Sequence, residues 1–65
     1  MQVRVRVAGE GSDIKTLTEG ATVKDALGDR GAGIVRVNGT VIENPASFKL
    51  ADGDVVEWTV AGKGN

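Results

Sequence analysis

The stretch Leu50-Ala51-Asp52-Gly53-Asp54-Val55-Val56-Glu57-Trp58-Thr59-Val60 narrows what this chain of 65 residues can fold into more than any other. Asp52-Gly53 is a turn dipeptide, because glycine takes positive φ without a Cβ clash and aspartate hydrogen-bonds its own local backbone. The run that follows alternates. Val56, Trp58 and Val60 fall on one face, and Val55, Glu57 and Thr59 on the other, which is the period-2 pattern of a half-buried strand. The only tryptophan sits in the middle of that strand, on the face assigned to the core. The chain therefore ends in a strand followed by a glycine-containing tail.

Upstream, Gln2-Val3-Arg4-Val5-Arg6-Val7 alternates strictly, with the valines inward and Arg4 and Arg6 outward. Ala8 to Ser12 reads as a turn and Ile14 to Leu17 as a return strand, which makes a hairpin. Thr22 begins a helix: Asp25 three residues on completes a weak capping box, and Val23, Ala26 and Leu27 share one face. Gly28, Gly31 and Gly33 end it, since an interior glycine costs about 1 kcal/mol relative to alanine. The expected helix is two to three turns long. Ile34 to Val37 is a further strand, closed by Asn38-Gly39, a strong short hairpin signal, and Thr40-Val41-Ile42 returns from it. Pro45 keeps the next loop out of any ladder, and Phe48 and Leu50 anchor the approach to the last strand.

One amphipathic helix needs one sheet face to bury against. The pieces thus predict an α+β fold with a four- to five-stranded mixed sheet and one short helix on one face, over residues 1–60, with 61–65 as a flexible tail. The first and last strands would lie side by side at the centre. Arg4, Arg6 and Arg36 would then flank Glu57 on the outer face, each such cross-strand pair contributing roughly 0.2–1 kcal/mol. The hydrophobic fraction is 40% but aromatics are only 3%, so the core must be built mainly from valine, with some leucine, isoleucine and alanine. A sheet this small can leave an edge open, with the last strand the one singled out, so a monomer or a weak homodimer is expected.

Composition closes off several kinds of chemistry. Neither cysteine nor histidine is present, so no disulfide, thiolate or imidazole chemistry is available. Ser12 and Ser47 lack a histidine to activate them, so no catalytic residue is assigned. Eight basic and nine acidic residues give a net charge of −1 with no basic block, which argues against nucleic acid. No apolar stretch suits a membrane span or signal peptide, and a cytoplasmic location is the default expectation. Asp52 and Asp54 flank a turn and fall far short of a calcium loop, so no metal site and no cofactor are expected. Gly9-Glu10-Gly11 reads as a hairpin turn, since the third glycine and the helix of a dinucleotide fingerprint are missing.

Val35-Arg36-Val37-Asn38-Gly39, followed by Phe48-Lys49-Leu50-Ala51-Asp52-Gly53-Asp54-Val55-Val56-Glu57, resembles the ubiquitin-like β-grasp proteins, and most of all the ThiS/MoaD sulfur-carrier group. Thr22-Val23 ahead of the helix matches that group as well. TGS domains, the β-grasp modules of certain GTPases and synthetases, share a similar pattern. The resemblance spans roughly Val3 to Val60 and implies a β-grasp fold. It also implies a partner, an ATP-dependent activating enzyme that adenylates a C-terminal Gly-Gly. Here the tail reads Gly62-Lys63-Gly64-Asn65, so Gly64 becomes a carrier terminus only once Asn65 is removed, with Lys63 still in the penultimate place.

Three readings follow. The first is a non-catalytic ubiquitin-like module that binds a protein partner through its outer sheet face, where Ile34, Val55 and Thr59 are ringed by Arg4, Arg6, Arg36 and Glu57, with help from the tail at Gly62, Lys63 and Gly64. An apolar patch with a charged rim suits a protein interface, and it also suits an ordinary sheet face. The second is a sulfur carrier of the thiamine or molybdopterin type, activated at a processed C-terminus. The third is a TGS-like binding module, or a mimic that occupies an activating enzyme without reacting.

Overall fold

The computed structural model describes residues 1–28, 30 and 33–60. In chain order the elements are β1 (Gln2–Val7), β2 (Gly11–Thr16), α1 (Val23–Leu27), β3 (Gly33–Val37), β4 (Thr40–Ile42) and β5 (Val55–Val60). The strands form one five-stranded mixed sheet in the order β2-β1-β5-β3-β4. β1 and β5 pair in parallel at its centre, and every other pairing is antiparallel. The result is an α+β fold with a single helix on one face. Because β5 is paired on both sides, it is not the open edge; that place falls to β2 and β4.

The inward faces of β1, β3 and β5 supply Val3, Val5, Val7, Val35, Val37 and Val56, and α1 adds Val23, Ala26 and Leu27. Leu50 closes the cluster, so the core is built largely from valine. Each fully buried aliphatic side chain of this kind contributes roughly 1.5–3 kcal/mol. Two side chains expected to face the core do so only weakly. Val60 is 43% exposed at the end of β5, beyond the reach of α1, and Phe48 is 37% exposed while its neighbour Leu50 takes the buried place. Trp58 is half-buried and packs against the core from its margin. Its ring lies over the backbone of Gly33, where a Cβ would fall 2.5 Å from Trp58 Cε2 and 2.7 Å from the Thr59 carbonyl oxygen.

The helix is shorter than the two to three turns expected, five residues in all. Gly28 ends it at φ 71, and its N–H donates to the Lys24 carbonyl at 2.8 Å. The expected glycine stop at Gly31 lies outside the described residues. At the other end Thr22 and Asp25 form the full capping box: the Asp25 N–H donates to Thr22 Oγ1 at 3.3 Å, and the Thr22 N–H to Asp25 Oδ2 at 2.8 Å. Tertiary contacts take the next donors. Val23 N–H reaches the Phe48 carbonyl at 2.9 Å and Lys24 N–H the Pro45 carbonyl at 3.2 Å. Lys15 Nζ, from β2, caps the Ala26 carbonyl at 2.8 Å. An isolated helix of this length is far below the ~12–15 residues that are marginal in water. Its neighbours, not its propensity, hold it together.

The first return strand runs from Gly11 to Thr16, earlier than the Ile14–Leu17 expected, because the turn before it is tight. Glu10 N–H closes onto the Val7 carbonyl at 2.9 Å with Gly9 at φ 84.

Candidate protein-binding face

The face of the sheet turned away from α1 carries one set of side chains from every strand. On β5 these are Val55, Glu57 and Thr59. On β1 Arg4 stands opposite Val55, and Arg6 opposite Glu57. On β3 Ile34 stands opposite Thr59, and Arg36 opposite Glu57. All seven residues that the sequence nominates for this face therefore share it. The Arg6 guanidinium lies 3.7 Å from the Glu57 carboxylate, and Arg4 Nη1 donates to Ser12 Oγ at 3.4 Å.

Their arrangement differs from an apolar patch inside a charged ring. Arg6, Glu57 and Arg36 form a row straight across the three central strands. That row separates Val55, on one side, from Thr59 and Ile34 on the other. The reason is the register: strand period places Glu57 midway along β5, and each neighbouring strand sets an arginine beside it. The charges are the axis of the face. The aliphatic groups flank it.

Two further aliphatic side chains belong to this surface. Ile14 on β2 stands opposite Arg4, and Val41 on β4 stands opposite Arg36. Ile14 is 52% exposed and Val41 54%, both more than Ile34 at 43%, whereas Val55 is only half-exposed. The turns alone locate them. A two-residue Asn38-Gly39 connection sets Val37 against Thr40, and hence Arg36 against Val41. A three-residue turn about Gly9 likewise sets Arg4 against Ile14.

The turn motifs that carry the family resemblance are spent on holding strands together. Asn38 takes φ 52, a left-handed conformation that asparagine tolerates, and Gly39 φ 86, as a primed hairpin turn needs. The Asn38 side chain then bridges to the start of β5: Oδ1 accepts from Val55 N–H at 3.0 Å, and Nδ2 donates to Asp54 Oδ1 at 3.0 Å. Asp54 Oδ2 also accepts from Ala51 N–H at 2.8 Å. Asp52 Oδ1 accepts from Gln2 N–H at 2.7 Å, while the Gln2 carbonyl accepts from Gly53 N–H at 2.8 Å. These carboxylates clamp the beginnings of β1 and β5. Among the described residues no group of three or more Asp, Glu, His or Cys could hold a metal ion.

On the helix side, a cleft of about 310 Å³ opens between the end of α1, β3 and the loop at Pro45, with Trp58, Leu27 and Val35 as its apolar wall. Arg30 at its rim pairs with Glu10 at 3.6 Å. Gly62, Lys63 and Gly64, nominated as a binding tail, lie outside the described residues. No described helix is long and apolar enough to cross a membrane. A scan against protein-family models finds no match, and a search of curated proteins finds no relative above the significance threshold.

Proposed function

We propose that this chain is a non-catalytic interaction module of the ubiquitin-like β-grasp type, which binds a protein partner through the outer face of its sheet. The order hairpin, helix, hairpin, with the last strand parallel to the first at the sheet centre, supports the β-grasp reading. The observation that carries the binding reading is the face itself. Ile14 and Ile34 stand exposed on opposite sides of the Arg6–Glu57–Arg36 row and Val41 at its β4 end, whereas the opposite face is partly covered by α1. Its strand residues include three arginines (4, 6 and 36) and one glutamate (57), a net of +2 on a chain whose total is −1. The complementary partner is a surface with carboxylates along its middle and aliphatic side chains to either side.

The sulfur-carrier alternative rests on the motif resemblance. Asn38, Asp52 and Asp54 act on the strands themselves, so those motifs support a shared fold more than a shared reaction. Intact mass after incubation with ATP, a sulfide donor and an activating enzyme separates the two readings: a thiocarboxylate-sized gain identifies a carrier.

The binding reading is tested by capturing partners on the immobilised chain and repeating the capture with Ile34→Asp and Arg36→Glu. Each substitution is expected to weaken a genuine partner at least about tenfold, a desolvated charge pair or apolar anchor being worth more than about 1.4 kcal/mol. Lys24→Glu, on the helix side, should leave the partner bound. Amide shifts confined to α1 and the Pro45 loop on titrating the partner would place the interface elsewhere and sink the proposal.

A further inference from the structure

The two open edges of the sheet differ in how they are protected. β4 is three residues long and runs into the loop that holds Pro45, two common ways of blunting an edge. β2 has six residues and no proline, and no described element pairs with its outer side. Its backbone polarity follows from the hairpin. Met1 and Leu17 exchange both of their backbone bonds, each at 2.8 Å. In an antiparallel ladder such pairs alternate with pairs that exchange none. In the observed register, Lys15 and Asp13 therefore point their N–H and C=O groups toward β1, and Ser12, Ile14 and Thr16 point theirs outward.

The sequence along that edge, Ser12-Asp13-Ile14-Lys15-Thr16, is complementary to itself when reversed about Ile14. We propose that β2 pairs antiparallel with β2 of a second copy of this chain, about a two-fold axis at Ile14, joining two sheets into one. Ile14 then exchanges its outward N–H and C=O with Ile14 of the second copy, and Ser12 with Thr16. These are the residues whose backbone groups already face outward, so the register and the ladder agree. Between them Asp13 stands opposite Lys15 of the second copy in the close, non-bonded position, where opposite charges attract. Both lie on the helix side, where Lys15 Nζ is already fixed by the Ala26 carbonyl. On the outer face the two Ile14 side chains meet. The paired chains would present one continuous outer face, with the rows of charge in both halves on the same side. This inference stands on the edge geometry and does not depend on the binding role proposed for that face.

The test is sedimentation equilibrium over a concentration series. The wild-type chain should move from 6.7 kDa toward twice that mass as concentration rises. Ile14→Pro removes only an outward N–H, leaves the β1 ladder intact, and should stay monomeric with an unchanged circular-dichroism spectrum. Asp13→Lys and Lys15→Asp provide a second test that does not involve proline. Each alone sets like charges opposite each other and should associate about tenfold more weakly than wild type. Mixed in equal amounts, they set opposite charges together and should recover association as a heterodimer. A wild-type mass of 6.7 kDa up to the solubility limit would overturn the proposal. So would a dimer that survives Ile14→Pro, or charge variants that associate as well alone as mixed.

Discussion

Asn38 does two jobs that most residues cannot combine. Its backbone occupies the left-handed region at φ 52, and its side-chain amide spans from one hairpin to the start of another strand. Substitution separates these jobs. Asn38→Gly keeps the turn conformation and loses only the bridge, so it should cost about 1 kcal/mol, the net worth of an exposed pair of hydrogen bonds. Asn38→Ala loses the bridge and also the local side-chain hydrogen bonding that lets asparagine tolerate positive φ, so it should cost more than Asn38→Gly. Urea denaturation midpoints should therefore fall in the order wild type, Asn38→Gly, Asn38→Ala. Equal midpoints for wild type and Asn38→Gly would show that the bridge contributes nothing. Gly33 makes the opposite point: there the backbone is extended, and glycine is required by the indole of Trp58 lying against it.

At the scale of elements, α1 exists because its ends are tied. Thr22 and Asp25 satisfy each other, and the next two N–H groups go to the carbonyls of Phe48 and Pro45. The loop from Asn44 to Leu50 is thus a tether for the helix, and Leu50 N–H returns to the Ala21 carbonyl at 2.9 Å to lock it. Thr22→Ala should lower stability by about 1 kcal/mol, the usual cost of losing an N-cap. Hydrogen exchange should show where: the amides of Asp25 and Ala26 should speed up while those of β1 and β5 keep their protection. Uniform acceleration across the sheet would mean that helix and sheet unfold as one unit.

The whole molecule is held by a thin core, in which β1, β3, β5 and α1 meet around Val3, Val23 and Val56, the largest of the fully buried side chains. A domain of this size draws only about 3–5 kcal/mol from a single core. Val56→Ala, which removes two methyl groups at the centre of the sheet, should cost roughly 2 kcal/mol. That is a large share of the total, and thermal melting by circular dichroism should show a midpoint lowered by roughly 8–16 °C. The cleft beside Trp58 is bounded by one end of α1, β3, β5 and the Pro45 loop, whereas the outer face spans all five strands.

Local chemistry wrote much of this into the chain. Period-2 alternation assigned Arg4, Arg6, Arg36 and Glu57 to the outer face, because strand geometry alternates sides whatever the neighbours are. Asn38-Gly39 set the β3–β4 register, because only residues tolerant of positive φ close a two-residue turn with the right twist. Thr22 and Asp25 marked the helix start for a similarly local reason. The expected central placement of β1 and β5 is the one observed, and the arginines on either side of Glu57 fit that order without fixing it. Tertiary structure decided the rest. It shortened the helix and left Val60 exposed, because a five-residue helix covers only part of the sheet. It turned the expected apolar patch into a charged row with Ile14 and Ile34 on its two sides and Val41 at its end, because that pattern depends on which strands become neighbours. It put β2 and β4, and not the last strand, at the open edges, because strand order comes from long-range pairing, which the period of a single strand does not encode.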